Sequence, residues 1–577
     1  MFTNLEIAKL LRQVSAAYTI LGKNRFRIIA YDRAADAIEH ATSEVKDLWD
    51  DGKLDEIPAV GESLTKHLDE LLRTGGVKTW KQTFYKVPRA MFPLLDLPGF
   101  GPKKAYRLAV ELGLKPENAI NQLEKAVNEH KISPLEGFGD KSESDITNSI
   151  DLWRRGQVKE KRILLSAANE IAQNIINYLK KSPEVDGIEV LGSLRRQVST
   201  IGDIDLAVTT SKPENVIKLF VSYPKKRQII ERGPTGASLL LTSGRQVDLR
   251  VCKPEEWGSM LQYFTGSKQH NIKLRELAKK DGHLLNEYGV DSKNFDNEVK
   301  LYNFLGLDYI PPELREDTGE IEAALSHNLP DLVELSNIKG DLQMHSDFDQ
   351  ETSHDSGLNS IKELRDFAKD LDYEYIGITN HNPKSGVDAV KKINIQKKYI
   401  DKINHKKIKI LSLMEVDITP SGQLAIPDKA LDLLDGCLVS IHSSFGLNKN
   451  DMTKRVLSAL SHPKARIFAH PTGRLLEERE GYELDWERIF SFCLSNDKAL
   501  EINANPKRLD LPDVLVREAV KKGVLLSLGT DAHEKSDLMF MEYGVGVARR
   551  GWVEPKNIIN TWKYDKILKW FRKGGEQ

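Results

Sequence analysis

Between residues 342 and 533 the chain repeats one device: a short apolar strand ends on a polar side chain of metal-ligand type, and a helix follows. Leu342-Gln343-Met344-His345 is the first copy. Tyr375 to His381, Ile410 to Glu415, Cys437 to His442 and Ala465 to His470 follow, and the last is Val524 to His533 through Asp531. One further apolar run, Ala499 to Asn503, breaks at Asn503-Ala504-Asn505-Pro506 and brings the total to seven. Apolar runs separated by helices specify parallel strands buried on both faces. Polar ligands at the carboxyl ends of successive strands place a site at that mouth of a closed β/α barrel. A lone histidine at a strand end is ordinarily a core or surface residue. Five of them, His345, His381, His442, His470 and His533, beside Glu415 and Asp531 form a ligand set. Histidine and carboxylate without cysteine suit Mn²⁺, Zn²⁺ or Fe²⁺ in a hydrolytic cluster.

A second dense stretch lies upstream. Leu191-Gly192-Ser193-Leu194-Arg195-Arg196 follows an apolar run and leads to Gly202-Asp203-Ile204-Asp205. Asp203 and Asp205 stand two apart on a strand expected over Asp203 to Thr209, so both carboxylates leave the face opposite Ile204, Leu206 and Val208. Arg245 to Val251 alternates in the same way and presents Asp248 and Arg250 outward. If these strands are neighbours, three acids meet, and their mutual repulsion calls for cations between them. Hard oxygen ligands suit two Mg²⁺ or Mn²⁺ ions. The Gly192-Ser193 backbone with Arg195 and Arg196 would face a polyphosphate. Such a set suits two-metal nucleotidyl transfer.

The amino-terminal region carries a third pattern. Ile57-Pro58-Ala59-Val60-Gly61 precedes a helix, and Leu97-Pro98-Gly99-Phe100-Gly101 precedes Pro102-Lys103-Lys104 and another. A looser copy is Leu135-Glu136-Gly137-Phe138-Gly139-Asp140-Lys141. Each reads as helix, tight glycine turn, helix. The turn and the next helix N-terminus offer free N–H groups to a phosphate without reading bases. Val60, Gly61, Gly99, Gly101, Lys103 and Lys104 are the expected DNA-backbone contacts. A net charge of −1 puts any nucleic-acid surface in such local features rather than in the whole chain. Three well-separated cysteines, Cys252, Cys437 and Cys493, argue against a disulfide framework and a thiolate zinc site. No run approaches the ~18 apolar residues of a membrane span, so a cytoplasmic protein without membrane contact is expected.

The string G-S-x-R-R…G-D-I-D with the later V-D-x-R resembles the family X DNA polymerases, over about residues 3 to 317. Ser199 departs from that family, which usually has Glu there. The resemblance implies that Asp203, Asp205 and Asp248 hold two metals, and that Gly192, Ser193, Arg196 and Gly202 hold the triphosphate. It further implies that Tyr263, Phe264 and Gly266 of Tyr263-Phe264-Thr265-Gly266-Ser267 close over the incoming sugar. Asn271 would touch the base and Arg275 would approach the template. Family members keep a lyase lysine where this chain has His67, and Lys66 beside it points about 100° away on a helix. An imine-forming amine is therefore not expected there.

Residues 339 to 570 resemble the PHP (polymerase and histidinol phosphatase) domain, which cleaves phosphoesters with up to three metals. The matching positions are His345, His381, Glu415, His442, His470, Asp531 and His533. Gln343 stands where the family has a histidine, and Asn380 where it has an aspartate. Between Asp347 and Gly357 the first loop is lengthened. Asp355 best matches the missing loop ligand, with Asp349 and His354 as rivals.

The fold expected is multidomain: a helical amino-terminal region with helix-hairpin-helix turns, an α+β nucleotidyltransferase palm, and a carboxy-terminal distorted (β/α)7 PHP barrel. Its expected parts are 1–88 helical and lyase-like, 89–155 fingers-type, 156–260 palm, 261–317 thumb-type, 318–338 linker and 339–577 PHP domain. The function expected is a DNA polymerase filling short gaps in DNA repair, with the PHP domain as a Mn²⁺-dependent 3′–5′ exonuclease that could also cut at abasic sites, acting on gapped or primed DNA and dNTPs. The alternatives are a nucleotidyltransferase on RNA or a small molecule fused to a phosphatase, and a DNA-binding protein with a structural barrel.

Overall fold

In the computed structural model of this chain, residues 2, 4–39, 45–50, 52, 54, 57, 60–97, 99–154, 162–291, 293–404 and 407–573 are described. Pro58, Ala59 and Pro98 of the first two turn motifs lie outside them, as does the expected boundary at 155/156. The chain divides into two units, Met1–Lys161 and Arg162–Gln577. Among the described residues, no helix is long and apolar enough to cross a membrane.

The first unit is helical. α1 (Asn4–Ile20) buries Ile7, Leu11, Val14 and Tyr18 at helical spacing, which makes one continuous apolar face. The described residues of all three expected turns share one hydrogen bond. The N–H of Val60 donates to the Ile57 carbonyl at 3.0 Å, that of Phe100 to Leu97 at 3.2 Å, and that of Phe138 to Leu135 at 3.0 Å. A helix opens directly after each: α2 (Glu62–Thr74), α3 (Pro102–Glu111) and α4 (Asp140–Arg154). Gly99 (φ 72°) and Gly137 (φ 73°) sit in the left-handed region, where a side chain would be strained.

In the second unit, α5 (Leu165–Leu179) packs on a five-stranded sheet. The strands are β1 (Gly187–Val190), β2 (Ile204–Thr209), β3 (Lys226–Arg232), β4 (Gly236–Leu241) and β5 (Gln246–Cys252), in the order β1-β2-β5-β4-β3. Only β2 and β5 run parallel. Helix α6 (Gly192–Arg195) lies between β1 and β2, and α7 (Trp257–Thr265), α8 (Lys268–Lys280) and α9 (Glu298–Phe304) follow the sheet in chain order. The stretch expected to be a linker holds α10 (Glu320–Leu325), whose Ile321 and Ala324 join the core of Leu274, Leu301 and Tyr302. Glu320 is buried there and bonds His270 Nδ1 at 2.7 Å.

The carboxy-terminal strands are all parallel. β6 (Gly340–Asp341), β7 (Tyr375–Ile378) and β8 (Lys409–Ser412) form one sheet. β9 (Glu415–Asp417), β10 (Cys437–Ser440), β11 (Ala465–Phe468), β12 (Ala499–Asn503) and β13 (Leu525–Gly529) form another. The sheets meet at both edges. β8 and β9 are one strand interrupted at Leu413-Met414, and His381 bridges Glu415 across the break. At the other edge, the Asp531 N–H donates to the Gln343 carbonyl at 3.0 Å and the His345 N–H to the Ala532 carbonyl at 2.8 Å. Asp341 accepts from Thr530, and Asn560 donates to the carbonyls of Gly340 and Leu528, so first and last strands are joined by side chains as well. Near the carboxyl end, α11 (Met541–Arg550) packs against Val516 and Ala504.

Candidate functional site

Asp205 on β2 pairs in register with Asp248 on β5, because the two strands are adjacent and parallel. Asp203 lies one residue before β2, whose regular pairing starts at Ile204 rather than at Asp203. Ligand atoms of Asp203, Asp205 and Asp248 lie within 4.8 Å of one another. Burial, reinforced by the charges of Asp203 and Asp248, pushes the Asp205 carboxyl up to about 7. Acids gathered at this separation suit divalent cations. Gly192 closes one side of the site. Its φ is 57°, and a Cβ there would sit 2.7 Å from Asp205 Oδ2, so only glycine lets this loop approach the carboxylate. Ser193, Arg196 and Gly202 lie within the connection between β1 and β2.

The two arginines of that loop are engaged. Arg195 forms a two-pronged ion pair with Glu298 on α9, at 3.0 and 2.7 Å. Arg315, fully buried, holds the same Glu298 at 2.7 Å. Arg195 is thus spent on the α7–α9 region rather than turned toward a polyphosphate. Arg196 donates to Glu316 at 3.0 Å and to the Thr265 carbonyl at 2.5 Å. Gly266 (φ 69°) follows, and a Cβ on it would meet Arg196 Nη1 at 3.2 Å. Tyr263 and Phe264 lie in the last turn of α7, edge to face at 5.1 Å, and Arg250 covers Phe264 at 5.2 Å. The buried Asn271 donates to the Tyr263 carbonyl at 2.6 Å and accepts from Gln262, so it fixes the end of α7. Arg275 donates to the Asn271 carbonyl at 3.2 Å.

At the carboxyl ends of the parallel strands the histidines and acids converge on Glu415. His470 Nε2 lies 2.8 Å and His442 Nε2 3.3 Å from Glu415 Oε1. On the other oxygen, His345 Nε2 lies at 3.4 Å and His381 Nδ1 at 3.9 Å. His345 also reaches Asp531 at 3.2 Å and stacks between His381 and His533. Burial works against a charge on His345, but Asp531 and Glu415 outweigh it and raise its pKa to about 10. Both ring nitrogens of His345, Nδ1 of His381 and of His470, and Nε2 of His533 have no hydrogen-bond partner. Buried imidazoles near carboxylates yet unaligned with them leave lone pairs pointing at shared space, which fits cations. The residues group as His345–Glu415–Asp531, His381–Glu415–His442, His345–His381–His533 and His354–Asp417–His442. His470 (φ 29°) and Asp531 (φ 54°) both take left-handed backbone conformations, held at about 1–3 kcal/mol each.

The loop rivals separate clearly. Asp355 lies 3.4 Å from His381 and 3.3 Å from His533. His354 bonds Asp417 at 3.0 Å and stands against His442. Asp349 is instead an exposed partner of Lys392, because the loop turns it outward, so it drops out as a ligand. Asn380, at the family's aspartate position, accepts from the Ser346 N–H at 2.7 Å and donates to Gln396 at 2.9 Å, so it anchors the loop. Gln343 donates to Glu415 Oε2 at 2.8 Å and accepts from Asn503 at 3.3 Å.

Three residues of this site carried no expectation. Asp417, two after Glu415 and on the same strand face, bonds His442 Nδ1 at 2.7 Å. E-x-D at a strand end was the available signal. Arg508 meets Asp531 at 3.2 Å. Glu501, fully buried, accepts the His470 N–H at 2.7 Å, and burial raises its carboxyl well above the usual range. Arg508 and Glu501 are placed by tertiary structure and had no local signal.

In the first unit, Gly61, Gly99, Gly101 and Lys103 are exposed at the turns, and Val60 is buried. Lys104 lies over the Phe100 ring at 4.6 Å. His67 bonds Tyr31 through Nδ1 at 2.9 Å and Thr79 through Nε2 at 3.2 Å, while Lys66 pairs with Glu62 at the surface.

Residues 2–77 match the helix-hairpin-helix domain family, and residues 260–316 match the DNA polymerase beta thumb family. The chain is 35% identical over 570 residues to the DNA polymerase/3′-5′ exonuclease PolX of Bacillus subtilis, covering 96% of this chain and 97% of that protein. It is 23% identical over 354 residues to DNA polymerase lambda of Arabidopsis thaliana, covering 54% of this chain and 62% of that protein. It is also 26% identical over 193 residues to a probable phosphatase of Caldicellulosiruptor saccharolyticus, covering 31% of this chain and 76% of that protein.

Proposed function

The chain belongs to the family X DNA polymerases that carry a 3′–5′ exonuclease, and we propose that it fills short gaps in DNA repair and trims DNA 3′ ends. The observation that carries the polymerase reading is the register of Asp205 with Asp248, with Asp203 beside them and the Gly192 loop against them. Mg²⁺ or Mn²⁺ held by these three acids would neutralise charge building on the reacting phosphate. Asp248 is assigned to the primer 3′ hydroxyl, and Gln246 steadies it by donating to both its oxygens at 3.1 Å. Gly192, Ser193, Arg196 and Gly202 are assigned to the triphosphate. Tyr263, Phe264 and Gly266 are assigned to the sugar, and Asn271 and Arg275 to the base and template. The exposed turns at Gly61, Gly99 and Gly101, with Lys103 and Lys104, are assigned to the backbone of gapped or primed DNA.

The carboxy-terminal strands are read as a distorted (β/α)7 PHP barrel, in which β8 and β9 count as one strand. His345, Asp355, His381, Glu415, His442, His470, Asp531 and His533 would hold up to three ions of Mn²⁺, Zn²⁺ or Fe²⁺, which would supply a Lewis acid for phosphodiester hydrolysis. The orphaned imidazole nitrogens support this. Around them, Asp417 orients His442, and Glu501 holds the main chain of His470.

The deciding experiment is a gapped primer-template with Mn²⁺, with and without dNTPs, read for extension and for shortening. Template-directed extension when dNTPs are present, and 3′ shortening when they are absent, are expected. Extension that ignores the template would overturn the polymerase assignment.

A further inference from the structure

Arg196, the loop residue assigned to the triphosphate, is held by a carboxylate that also belongs to a second ion pair. Glu316 Oε1 accepts from Arg196 Nε at 3.0 Å and from Arg550 Nη1 at 2.9 Å. Arg550 ends α11, in the carboxy-terminal domain. The same Nη1 donates to the main-chain carbonyl of Arg196 at 2.8 Å, and the rest of the guanidinium grips Asp513 at 2.8 and 2.7 Å. The loop is seated on α11 at a second point, since a Cβ on Gly546 would meet Gln197 Oε1 at 3.1 Å. The side chains of Arg196, Arg550 and Glu316 are mostly buried, at 14%, 9% and 26% exposed. Two guanidinium groups and two carboxylates thus form a continuous chain from the nucleotide loop into the barrel domain, with Arg474 also facing Asp513.

Such an arrangement has a consequence for nucleotide binding. With Nε on Glu316 and Nη1 on the Thr265 carbonyl, Arg196 has Nη2 left for a phosphate, and a two-pronged grip through Nε and Nη2 requires its release from Glu316. Leaving a largely covered carboxylate unpaired is unfavourable. Arg550 removes that penalty, because Glu316 stays paired when Arg196 leaves. Without Arg550, Arg196 would be the remaining cation on Glu316 and would be held more tightly.

We propose that Glu316 is a positioning residue that competes with the incoming triphosphate for Arg196, and that Arg550 of the barrel domain sets how easily Arg196 is released. The barrel domain thereby tunes the affinity of the polymerase site for its nucleotide. This rests on the assignment of Arg196 to the triphosphate.

Single-nucleotide incorporation on a gapped duplex by the full-length protein tests it. Glu316→Gln weakens the hold on Arg196 and is expected to lower KM for dNTP by about 3–10-fold with little change in kcat. Arg550→Ala is expected to raise KM by a similar factor, and Arg550→Lys to restore part of it. In a Glu316→Gln background, Arg550→Ala should have a smaller effect on KM, because the part of its action that runs through Glu316 is already gone and only its bond to the Arg196 carbonyl remains. Retained 3′ shortening by each variant certifies its fold. An unchanged or raised KM in Glu316→Gln, or an Arg550→Ala effect of equal size in both backgrounds, would overturn the relay. Arg196→Ala separates the two failures. If it raises KM while Glu316→Gln does not lower it, the relay alone is wrong. If Arg196→Ala leaves KM unchanged, the assignment of Arg196 is wrong and the relay falls with it.

Discussion

Asp205 and Asp248 stand directly opposite each other on adjacent parallel strands, one residue pair in a six-pair ladder that runs from Ile204–Val247 to Thr209–Cys252. Neither can move away from the other without breaking that ladder, so their repulsion is built into the sheet. Burial and the neighbouring acids raise the Asp205 carboxyl from 3.8 to about 7.

A group whose folded pKa lies above its unfolded value contributes stability below the unfolded pKa and loses it as pH rises through the folded one. Metal-free protein should therefore lose stability between about pH 4 and pH 7, by up to ~2–4 kcal/mol. Mg²⁺ at pH 7 should restore it. Asp205→Asn should flatten the dependence. Denaturant unfolding across this range, with EDTA or Mg²⁺, checks the expectation, and a wild-type profile that Asp205→Asn leaves unaltered would contradict it.

Extension and shortening should separate by mutation. Asp248→Ala should cut extension by on the order of 10²–10³-fold and leave Mn²⁺-dependent shortening in place. Asp531→Ala should do the reverse, since it takes a carboxylate from His345 and Arg508. Loss of both activities in either folded single variant would sink the assignment of two independent sites.

Sugar selection should depend on the edge-to-face pair Tyr263–Phe264, which Asn271 fixes through the Tyr263 carbonyl. Replacing both rings by Ala should raise ribonucleotide use relative to deoxyribonucleotide use, with ~1–3 kcal/mol of discrimination at stake. The ratio of the two kcat/KM values reports it. An unchanged ratio would remove these residues from the sugar site.

Gln343 and Asn380 should differ in their effect on the barrel's metals. The Gln343 amide occupies Glu415 Oε2, so Gln343→His should both free that lone pair and add an imidazole, tightening Mn²⁺ binding by about 10–100-fold. Asn380→Asp should leave Mn²⁺ affinity unchanged, because that side chain bonds Ser346 and Gln396. Equilibrium dialysis with metal analysis measures both. Identical binding by Gln343→His and the parent would show that the position only fills space.

Lyase chemistry should be absent from residues 1–88. Both nitrogens of His67 are engaged with Tyr31 and Thr79, and Lys66 lies on the outer face of α2 with Glu62. Borohydride trapping on an incised abasic duplex should yield no adduct. A covalent adduct mapped to Lys66 would refute this.

The sequence by itself determined what repeats along the chain. Alternation on β2 and β5 put Asp205 and Asp248 on outward faces, and apolar runs with histidines at their ends marked the carboxy-terminal strands, because side-chain direction in a strand is set two residues at a time. The three glycine turns were legible for the same reason: a turn and the helix after it are fixed by adjacent residues. Only the tertiary structure decided which strands became neighbours, and hence that Asp205 faces Asp248 and that Glu415 is shared by four imidazoles. It alone turned Asn380 and Asp349 away from the metal-type cluster, and it drew in Asp417, Arg508 and Glu501. The Arg196–Glu316–Arg550 chain spans 354 residues of sequence between its two arginines. Contacts between residues so far apart carry no local periodicity, so they exist only once the packing of whole elements has been chosen.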